Sequence, residues 1–240
     1  MKKSILVVGG TRGIGRACVD KLARADNDIY IVSRSASQSA FEQYEASAVS
    51  YFDADVCNDD LDLSFLPESL DGLVYCPGSI NLKPLRNLSI DDFRNDYNIN
   101  VLGFIRVLEH CLPALKQSIN ASVVTFSTVA ASQGMNFHSS ISASKGAMEA
   151  LIRSLAAEFA GVGMRFNSIA LSLVDTPLAS KLIQSEQKRN QIAARHPMQK
   201  IGDPTEVAVL VEYLLRDESS WMTGQVIGLD GGLSVVKSMT

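Results

Sequence analysis

Short apolar runs rich in β-branched residues alternate along the chain with longer segments in which apolar residues recur every three or four positions. The short runs predict buried strands, and the longer periodic segments predict helices that pack on a sheet. The predicted strands are residues 5–8, 29–32, 48–52, 73–75, 122–126, 165–170 and 225–229. The predicted helices are residues 15–25, roughly 90–116, 143–160 and 205–215.

The alternation of strands and helices implies right-handed βαβ crossovers. We therefore expect an α/β fold of the Rossmann type, a doubly wound, seven-stranded parallel sheet with helices on both faces. The last helix has a recognisable start, because Thr205 follows Pro204 and Glu206 lies in the first turn.

The chain contains no repeat, low-complexity tract or linker, so we expect residues 1–240 to form a single domain. The longest segment without a clear pattern is residues 172–201. It carries Pro177, Pro197 and many polar residues around a short helical pattern. Such a segment is typical of a lid over a substrate site rather than of a second domain.

Composition and charge exclude several classes of function. Hydrophobic residues make up 46% and charged residues 20% of the chain, which favours a folded protein with a substantial core. A net charge of −4 predicts no nucleic-acid or anionic-membrane partner. The amino-terminal apolar run is too short for a signal peptide, and no run approaches the about 18 residues of a membrane span. A cytoplasmic location is the expectation.

The four cysteines are far apart in sequence and show no metal-ligand spacing. They are Cys18, Cys57, Cys76 and Cys111. We expect reduced thiols and no metal site.

A glycine-rich turn, Gly9-Gly10-Thr11-Arg12-Gly13-Ile14-Gly15, joins the first predicted strand to the first predicted helix. Glycines let the backbone turn sharply and approach a pyrophosphate, whose charge the helix N-terminus stabilises. The strand before it and the helix after it favour a dinucleotide site over a plain tight turn.

The second predicted strand ends in Ser33-Arg34, where a site selective for NAD has an acidic residue. Arg34 and Arg12 can instead hold a 2′-phosphate through charge-assisted hydrogen bonds. The alternative is that both arginines are solvated surface residues. The expected cofactor is NADP(H), with NAD(H) as the less favoured choice.

The spacing Gly9-x3-Gly13-x-Gly15 resembles the short-chain dehydrogenase/reductase family, and the resemblance extends over essentially the whole chain. Asp55-Val56 is similar to the pair that contacts adenine, and residues 100–103 (Asn-Val-Leu-Gly) resemble the Asn-containing motif of the fourth helix. The tail is similar as well, at residues 201–204, 221–225 and 230–232.

The resemblance, together with the phosphate-site reasoning above, implies a full set of cofactor contacts. These residues are Gly9, Thr11, Arg12, Gly13, Ile14, Gly15, Ser33, Arg34, Asp55, Val56, Gly78, Asn100, Lys145 and Thr176. Thr176-Pro177 resembles the segment that meets the nicotinamide carboxamide.

The chain departs from the family at three places. Tyr75-Cys76-Pro77-Gly78 stands where the family has Asn-Asn-Ala-Gly, and Leu171-Ser172 stands where it has Pro-Gly. The family's Tyr-x-x-x-Lys places a phenol and an ammonium one helical turn apart, whereas here Ile141 precedes Lys145. Thr128 occupies the position of the family's serine.

The implied catalytic constellation is therefore Asn100, Thr128, Ile141 and Lys145. An isoleucine cannot donate a proton to a carbonyl oxygen, a contribution that is typically ~10²–10⁴ in rate. His138 is a candidate replacement, and Ser139, Ser140 and Ser142 also flank the position. Each of them is also suited to a plain loop or helix-cap role.

Two function classes stay open. The first is an atypical NADP(H)-dependent oxidoreductase for a small carbonyl, imine or related substrate, with His138 or water as the acid, or with an iminium acceptor that needs none. The second is a catalytically degenerate NADP(H)-binding sensor or partner protein, and a purely structural role is a weaker third. The retained Lys145 favours hydride chemistry.

The resemblance also implies a homo-oligomer, a tetramer or a dimer. The family pairs its fourth and fifth helices across a two-fold axis. The corresponding segments, residues 104–115 and 147–159, carry apolar residues on more than one face.

Overall fold

The computed structural model of the chain describes residues 2–34, 41 and 49–237. Its described residues form one sheet of seven strands. The strands are Ser4–Val8 (β1), Asp28–Ser33 (β2), Val49–Asp53 (β3), Gly72–Tyr75 (β4), Ser122–Thr128 (β5), Arg165–Leu171 (β6) and Val226–Leu229 (β7). Each prediction is confirmed to within two residues at either end, except that Ala48 lies outside the described residues.

All strand pairs are parallel, in the order β3-β2-β1-β4-β5-β6-β7. The chain leaves the centre of the sheet in one direction with β2 and β3 and in the other with β4 to β7. This reversal opens a crevice at the carboxyl ends of β1 and β4, which is where ligands bind in doubly wound sheets. The predicted fold class is confirmed.

The helices differ from their predictions mainly at their ends. They are Gly13–Ala23 (α1), Ile90–Tyr97 (α2), Gly103–Leu115 (α3), Ser139–Phe159 (α4), Glu186–Ala193 (α5) and Pro204–Leu215 (α6). The start of α6 carries a capping box, in which Asp203 accepts a hydrogen bond from the backbone of Thr205 and its own N–H donates to Glu206. None of the helices in the described ranges is long and apolar enough to span a membrane.

The predicted helix over residues 90–116 is confirmed as one continuous helical segment, within which a π-helical stretch, Asn98–Leu102, lies between α2 and α3. Its widened turn has a specific packing partner in β4. The hydroxyl of Tyr75 donates a hydrogen bond to the carbonyl of Ile99 at 2.6 Å. A Cβ on Gly103 would lie 2.5 Å from that hydroxyl, so the tyrosine requires glycine there.

Two apolar cores lie on opposite faces of the sheet. Alternate residues of a strand point to opposite faces, so Leu6 belongs to one core and Ile5 to the other. The first core packs α3 and α4 on the sheet through side chains such as Phe104 and Ile152. The second core packs α1 and α6 on the other face, with Leu22 fully buried. These layers hold the loops at the carboxyl ends of the strands in fixed positions.

Candidate functional site

A cleft of about 920 Å³ opens at the carboxyl ends of β1, β2 and β4. Twelve of the predicted cofactor residues line it: Gly9, Thr11, Arg12, Gly13, Ile14, Gly15, Ser33, Arg34, Asp55, Val56, Gly78 and Thr176. The other two, Asn100 and Lys145, lie beside Gly78 at one end of the cleft. The structure therefore brings the predicted residues together.

The glycine loop enters α1 along a path that side chains would block. A Cβ on Gly15 would lie 2.2 Å from the carbonyl oxygen of Gly9, so the helix can start against the loop only with glycine at this position. Gly13 has φ +53° and faces Thr176 across the cleft. The first turn of α1 carries no acidic residue. This arrangement fits a pyrophosphate held by backbone N–H groups at a helix N-terminus.

The end of β2 forms the opposite, polar end of the cleft. The hydroxyls of Thr11 and Ser33 lie 3.1 Å apart, and the Tyr51 hydroxyl donates to the carbonyl of Ser33. Arg12 and Arg34 are exposed, and neither forms an ion pair with a described residue. Two uncommitted guanidinium groups at this position fit an additional phosphate.

The neighbouring end of β3 carries Asp55 and Val56. The carboxylate of Asp55 accepts a hydrogen bond from the backbone of Cys57 at 3.0 Å, which fixes the turn after β3, and Val56 is buried. The two residues form a wall of the cleft.

Lys145 is buried on α4, one helical turn after Ile141, which is buried as well. Its Nζ donates to the carbonyl of Phe126 at 2.8 Å. Burial lowers the pKa of Lys145 to about 8, while the charges of Cys76 and Asp96 act in the opposite direction. The ammonium is thus a stronger acid than an ordinary lysine and still protonated at neutral pH.

Asn100 lies in the π-helical segment and is completely buried. Its Nδ2 donates to the carbonyl of Asp96 at 2.7 Å and approaches the hydroxyls of Ser79 and Ser144. Since a backbone carbonyl only accepts, this contact identifies the nitrogen. The Oδ1 of Asn100 has no partner within the described part of the chain.

The unpartnered oxygen and the Lys145 ammonium both lie close to Gly78, which lines the cleft. A Cβ placed on that glycine would lie 3.6 Å from Asn100 Oδ1 and 3.8 Å from Lys145 Nζ. A hydrogen-bond acceptor and an ammonium donor therefore stand next to the same glycine, at the end of the cleft where the resemblance to the family predicts the nicotinamide ribose.

Thr128 and His138 have local hydrogen bonds. The Thr128 hydroxyl accepts from the backbone of Ala130, at the start of a 3₁₀ turn. The Nδ1 of His138 lies 2.7 Å from the carbonyl of Asn136, within its own loop. Among the described residues, His138 has no hydrogen bond to Asn100, Thr128 or Lys145. Its proposed role as an acid stays a prediction.

Sequence reasoning missed Asp96. This carboxylate is 3% exposed and accepts hydrogen bonds from the hydroxyls of Ser79 and Ser140, both at 2.6 Å. The signal was present in the sequence, because a charged residue four positions before Asn100 falls on the same, inward face of a helix. Ser140, by contrast, was named as a possible donor, and the structure directs its hydroxyl to Asp96.

No group of three or more His, Cys, Asp or Glu side chains close enough to hold a metal ion occurs in residues 2–34, 41 and 49–237. The four cysteines are free thiols.

Known proteins resemble the chain over nearly its whole length. A family model described as enoyl-(acyl carrier protein) reductase matches residues 8–234. A tropinone reductase homolog from Arabidopsis thaliana is 31% identical over 249 residues, covering 97% of this chain and 91% of that protein. A tropinone reductase homolog from Datura stramonium is 32% identical, with coverage of 96% and 91%.

Solved structures show the same similarity. The ligand-free aldohexose dehydrogenase of Thermoplasma acidophilum superposes with a TM-score of 0.88 at 27% identity, covering 100% of this chain and 96% of that one. A structure of ElxO with NADP bound has a TM-score of 0.87 at 27% identity, with coverage of 97% and 99%. With the sheet order, the glycine loop and the family model in agreement, the chain belongs to the short-chain dehydrogenase/reductase family, whose members are oxidoreductases that use NAD(P)(H).

Proposed function

We propose that the protein is an atypical NADP(H)-dependent oxidoreductase for a small carbonyl, imine or related substrate, in which Lys145 supplies the proton. The observation that carries this proposal is the buried Lys145 ammonium beside Gly78, at the end of the cleft, with Ile141 one turn before it. When bound, NADPH supplies a hydride.

The proposed cofactor contacts divide among three parts of the cleft. The glycine loop and the N-terminus of α1 hold the pyrophosphate, and Asp55 and Val56 form the adenine wall. Arg12 and Arg34 hold a 2′-phosphate, which favours NADP(H) over NAD(H). Gly78, Asn100 and Lys145 hold the ribose next to the nicotinamide, and Thr176 contacts its carboxamide. The NADP-bound ElxO neighbour supports this choice of cofactor.

Lys145 performs the step that a phenol performs elsewhere in the family. Reduction builds negative charge on the substrate oxygen, and a buried ammonium stabilises that charge strongly. A pKa of about 8 is close to the operating pH, which is the range in which general acids work best. Lys145 gives a proton from Nζ to the oxygen, directly or through one water molecule, and regains it from solvent. The hydroxyl of Thr128 is available to the same oxygen.

We propose that residues 172–201 form the substrate lid of a single domain. The first half lines the cleft through residues 176–178 and 180–182. The second half is anchored by His196, whose Nε2 lies 2.7 Å from the Ser172 hydroxyl at the end of β6. Ile80, Leu82 and Leu178 give the cleft an apolar wall, which suits a substrate with a hydrocarbon body.

We also propose a cytoplasmic homo-oligomer, a tetramer or a dimer. Leu112 on α3 and Leu151 and Leu155 on α4 pack on the core but stay partly exposed, so a neighbouring subunit can cover them. Light scattering at micromolar concentration is expected to give a multiple of the subunit mass. The mass of a single subunit would contradict this part of the proposal.

The test combines binding and turnover. Nicotinamide fluorescence titrations with NADPH and NADH are followed by assays with activated ketones and cyclic imines. Lys145→Met is expected to lose ~10²–10⁴ in kcat and to bind NADPH more weakly. The control is Lys2→Met, which changes a lysine before β1, at the other end of the strands. Tight NADPH binding without turnover of any substrate would contradict the proposal and favour a sensor.

A further inference from the structure

The active site contains a buried carboxylate that the reaction described above does not use. Asp96 lies on the inward face of α2, and 3% of its surface is exposed. Its Oδ1 accepts a hydrogen bond from Ser79, the residue after Gly78, and its Oδ2 accepts one from Ser140, the residue before Ile141. Each oxygen is 2.6 Å from its hydroxyl donor.

The two serines connect Asp96 to both walls of the catalytic end. Ser79 belongs to the loop after β4, and Ser140 lies in the first turn of α4. The backbone carbonyl of Asp96 also accepts the Nδ2 of Asn100. One residue thus fastens the loop, α4 and the π-helical segment to each other. Since Nδ2 is held in this way, Asn100 Oδ1 is the atom that lies toward Gly78.

The charge of Asp96 also acts on Lys145. Burial without a counter-charge would drive a lysine to its neutral form, because an ammonium is costly to desolvate. The direct partner of Nζ is the carbonyl of Phe126, which is neutral. Cys76 and Asp96 are the titratable groups whose negative charge favours the protonated form of Lys145.

We propose that Asp96 is a positioning residue of the active site, the buried anchor that holds Ser79, Ser140 and Asn100 in place and puts a carboxylate in the same buried site as the Lys145 ammonium. The inference rests on the proposed function, because its value to catalysis depends on Lys145 as the proton donor. It assigns a role to the serines too. Ser79 and Ser140 hold the carboxylate in place, and Asp96 does not itself touch substrate.

The test measures the titration of Lys145 directly, without cofactor or substrate. Lysine labelled with ¹³C at Cε is incorporated, and the Lys145 signal is assigned by its absence in Lys145→Met. The wild-type signal is expected to titrate near pH 8. In Asp96→Asn, which keeps the size of the side chain and one acceptor oxygen but replaces the other oxygen by an NH₂ donor, the midpoint is expected to be lower than in the wild type. Asp91→Asn removes an exposed carboxylate from the same helix and is expected to leave the midpoint unchanged.

Asp96→Glu separates the effect of the charge at position 96 on the Lys145 midpoint from the effect of side-chain shape. It restores the carboxylate with altered packing, so its midpoint is expected near the wild-type value if the charge is what matters. If Asp96→Asn fails to fold, Asp96→Ser removes the charge and leaves room for water, and the same comparison applies. Melting temperatures identify which variants are folded.

The outcomes separate this inference from the proposed function. An unchanged Lys145 midpoint in folded Asp96→Asn would overturn the role of Asp96, whatever the activity. A lowered midpoint supports that role. The pH above which kcat falls is then expected to decrease by the same amount. If the midpoint moves and that pH does not, Asp96 sets the charge of Lys145 but Lys145 is not the donor, and the proposed function is the part that fails.

Discussion

The two ends of the cleft are built in different ways. At the phosphate end the contacts are made largely by backbone, and the path of that backbone depends on glycine: Gly15 lies where any Cβ would meet the carbonyl of Gly9. At the catalytic end the candidate groups are side chains, the buried Asn100, Lys145 and Asp96. The comparison teaches that a substitution at the phosphate end acts through the path of the backbone, whereas a substitution at the catalytic end acts through the chemistry of one side chain.

The catalytic end also shows how buried polar side chains are satisfied. The hydroxyl of Tyr75 is satisfied by the carbonyl of Ile99 in the π-helical segment. Asp96 and Ser140 form a hydrogen-bonded pair next to the position of Ile141. These polar groups are therefore satisfied by one another, and the unpartnered Oδ1 of Asn100 lies close to Gly78.

The largest expected effect comes from restoring the phenol. Ile141→Tyr is expected to introduce or raise carbonyl reduction, by up to ~10²–10⁴, because a tyrosine at this position lies one turn before Lys145. The measurement is NADPH oxidation with activated ketones. Overpacking costs about 1–3 kcal/mol of stability, so melting temperature is recorded as well.

Ile141→Phe is the matched control, because it adds the ring without the hydroxyl. A gain shared by both variants would mean that pocket shape, and not a proton donor, limits the wild type. Ordinary ketone turnover by the wild type, with no gain in Ile141→Tyr and no loss in Lys145→Met, would point to another donor, and His138→Ala would be the next variant.

At the phosphate end, Arg34→Ala is expected to weaken NADPH binding by about 1.5–3 kcal/mol, the value of a hydrogen bond to a charged group. This corresponds to roughly a tenfold to 150-fold rise in Kd. NADH binding is expected to change little, since NADH lacks the 2′-phosphate. Arg24→Ala, at the exposed end of α1, removes the same charge away from the cleft. Equal wild-type affinity for the two cofactors would refute the NADP(H) preference.

Gly15→Ala probes the backbone itself. The added methyl group has to displace the carbonyl of Gly9, and strain of about 1–3 kcal/mol is the usual cost of such overpacking. We expect NADPH and NADH to lose affinity equally, because both carry the pyrophosphate. Gly161→Ala is the control, since its Cβ would meet no heavy atom within 4 Å. A selective loss of NADPH alone would contradict this account of the loop.

The smallest expected effect is a pH dependence at the catalytic end. Burial lowers the pKa of Lys145 to about 8, so kcat for reduction is expected to be level below that pH and to fall about tenfold per pH unit above it. In the reverse direction, neutral Lys145 has to accept the proton of the alcohol. The rate of alcohol oxidation is therefore expected to rise as the pH approaches 8. A reduction rate that stays level to pH 10 would rule out Lys145 as the acid.

Unfolding does not explain that expected loss of rate. Between pH 8 and the ordinary pKa of lysine, the unfolded chain binds more protons at residue 145 than the folded protein does. Stability from this group therefore increases with pH in that range. A melting temperature recorded at each pH separates the titration of the catalytic group from any general alkaline denaturation.

Much of the fold could be predicted from the sequence. Each strand is a short run rich in β-branched residues, and in each long helix apolar residues recur every three or four positions. The phosphate end could be predicted for a similar reason: its residues are contiguous, from Gly9 to Gly15, and a loop between a strand and a helix needs little tertiary information. The π-helical stretch between α2 and α3 could not be predicted. It packs against Tyr75, whose hydroxyl donates to the carbonyl of Ile99, and these two residues are separated by 24 positions in the chain.

The order of elements, the glycine loop, the arginines beside it and Ile141 one turn before Lys145 can all be read from the amino-acid sequence. The surroundings of that lysine cannot, because they are assembled by packing. The carbonyl of Phe126, the Oδ1 of Asn100 and the carboxylate of Asp96 come from β5, the π-helical segment and α2, and packing brings them together in a buried site. Burial lowers the pKa of Lys145 while the charges of Cys76 and Asp96 raise it, so no local pattern along the chain contains its acidity.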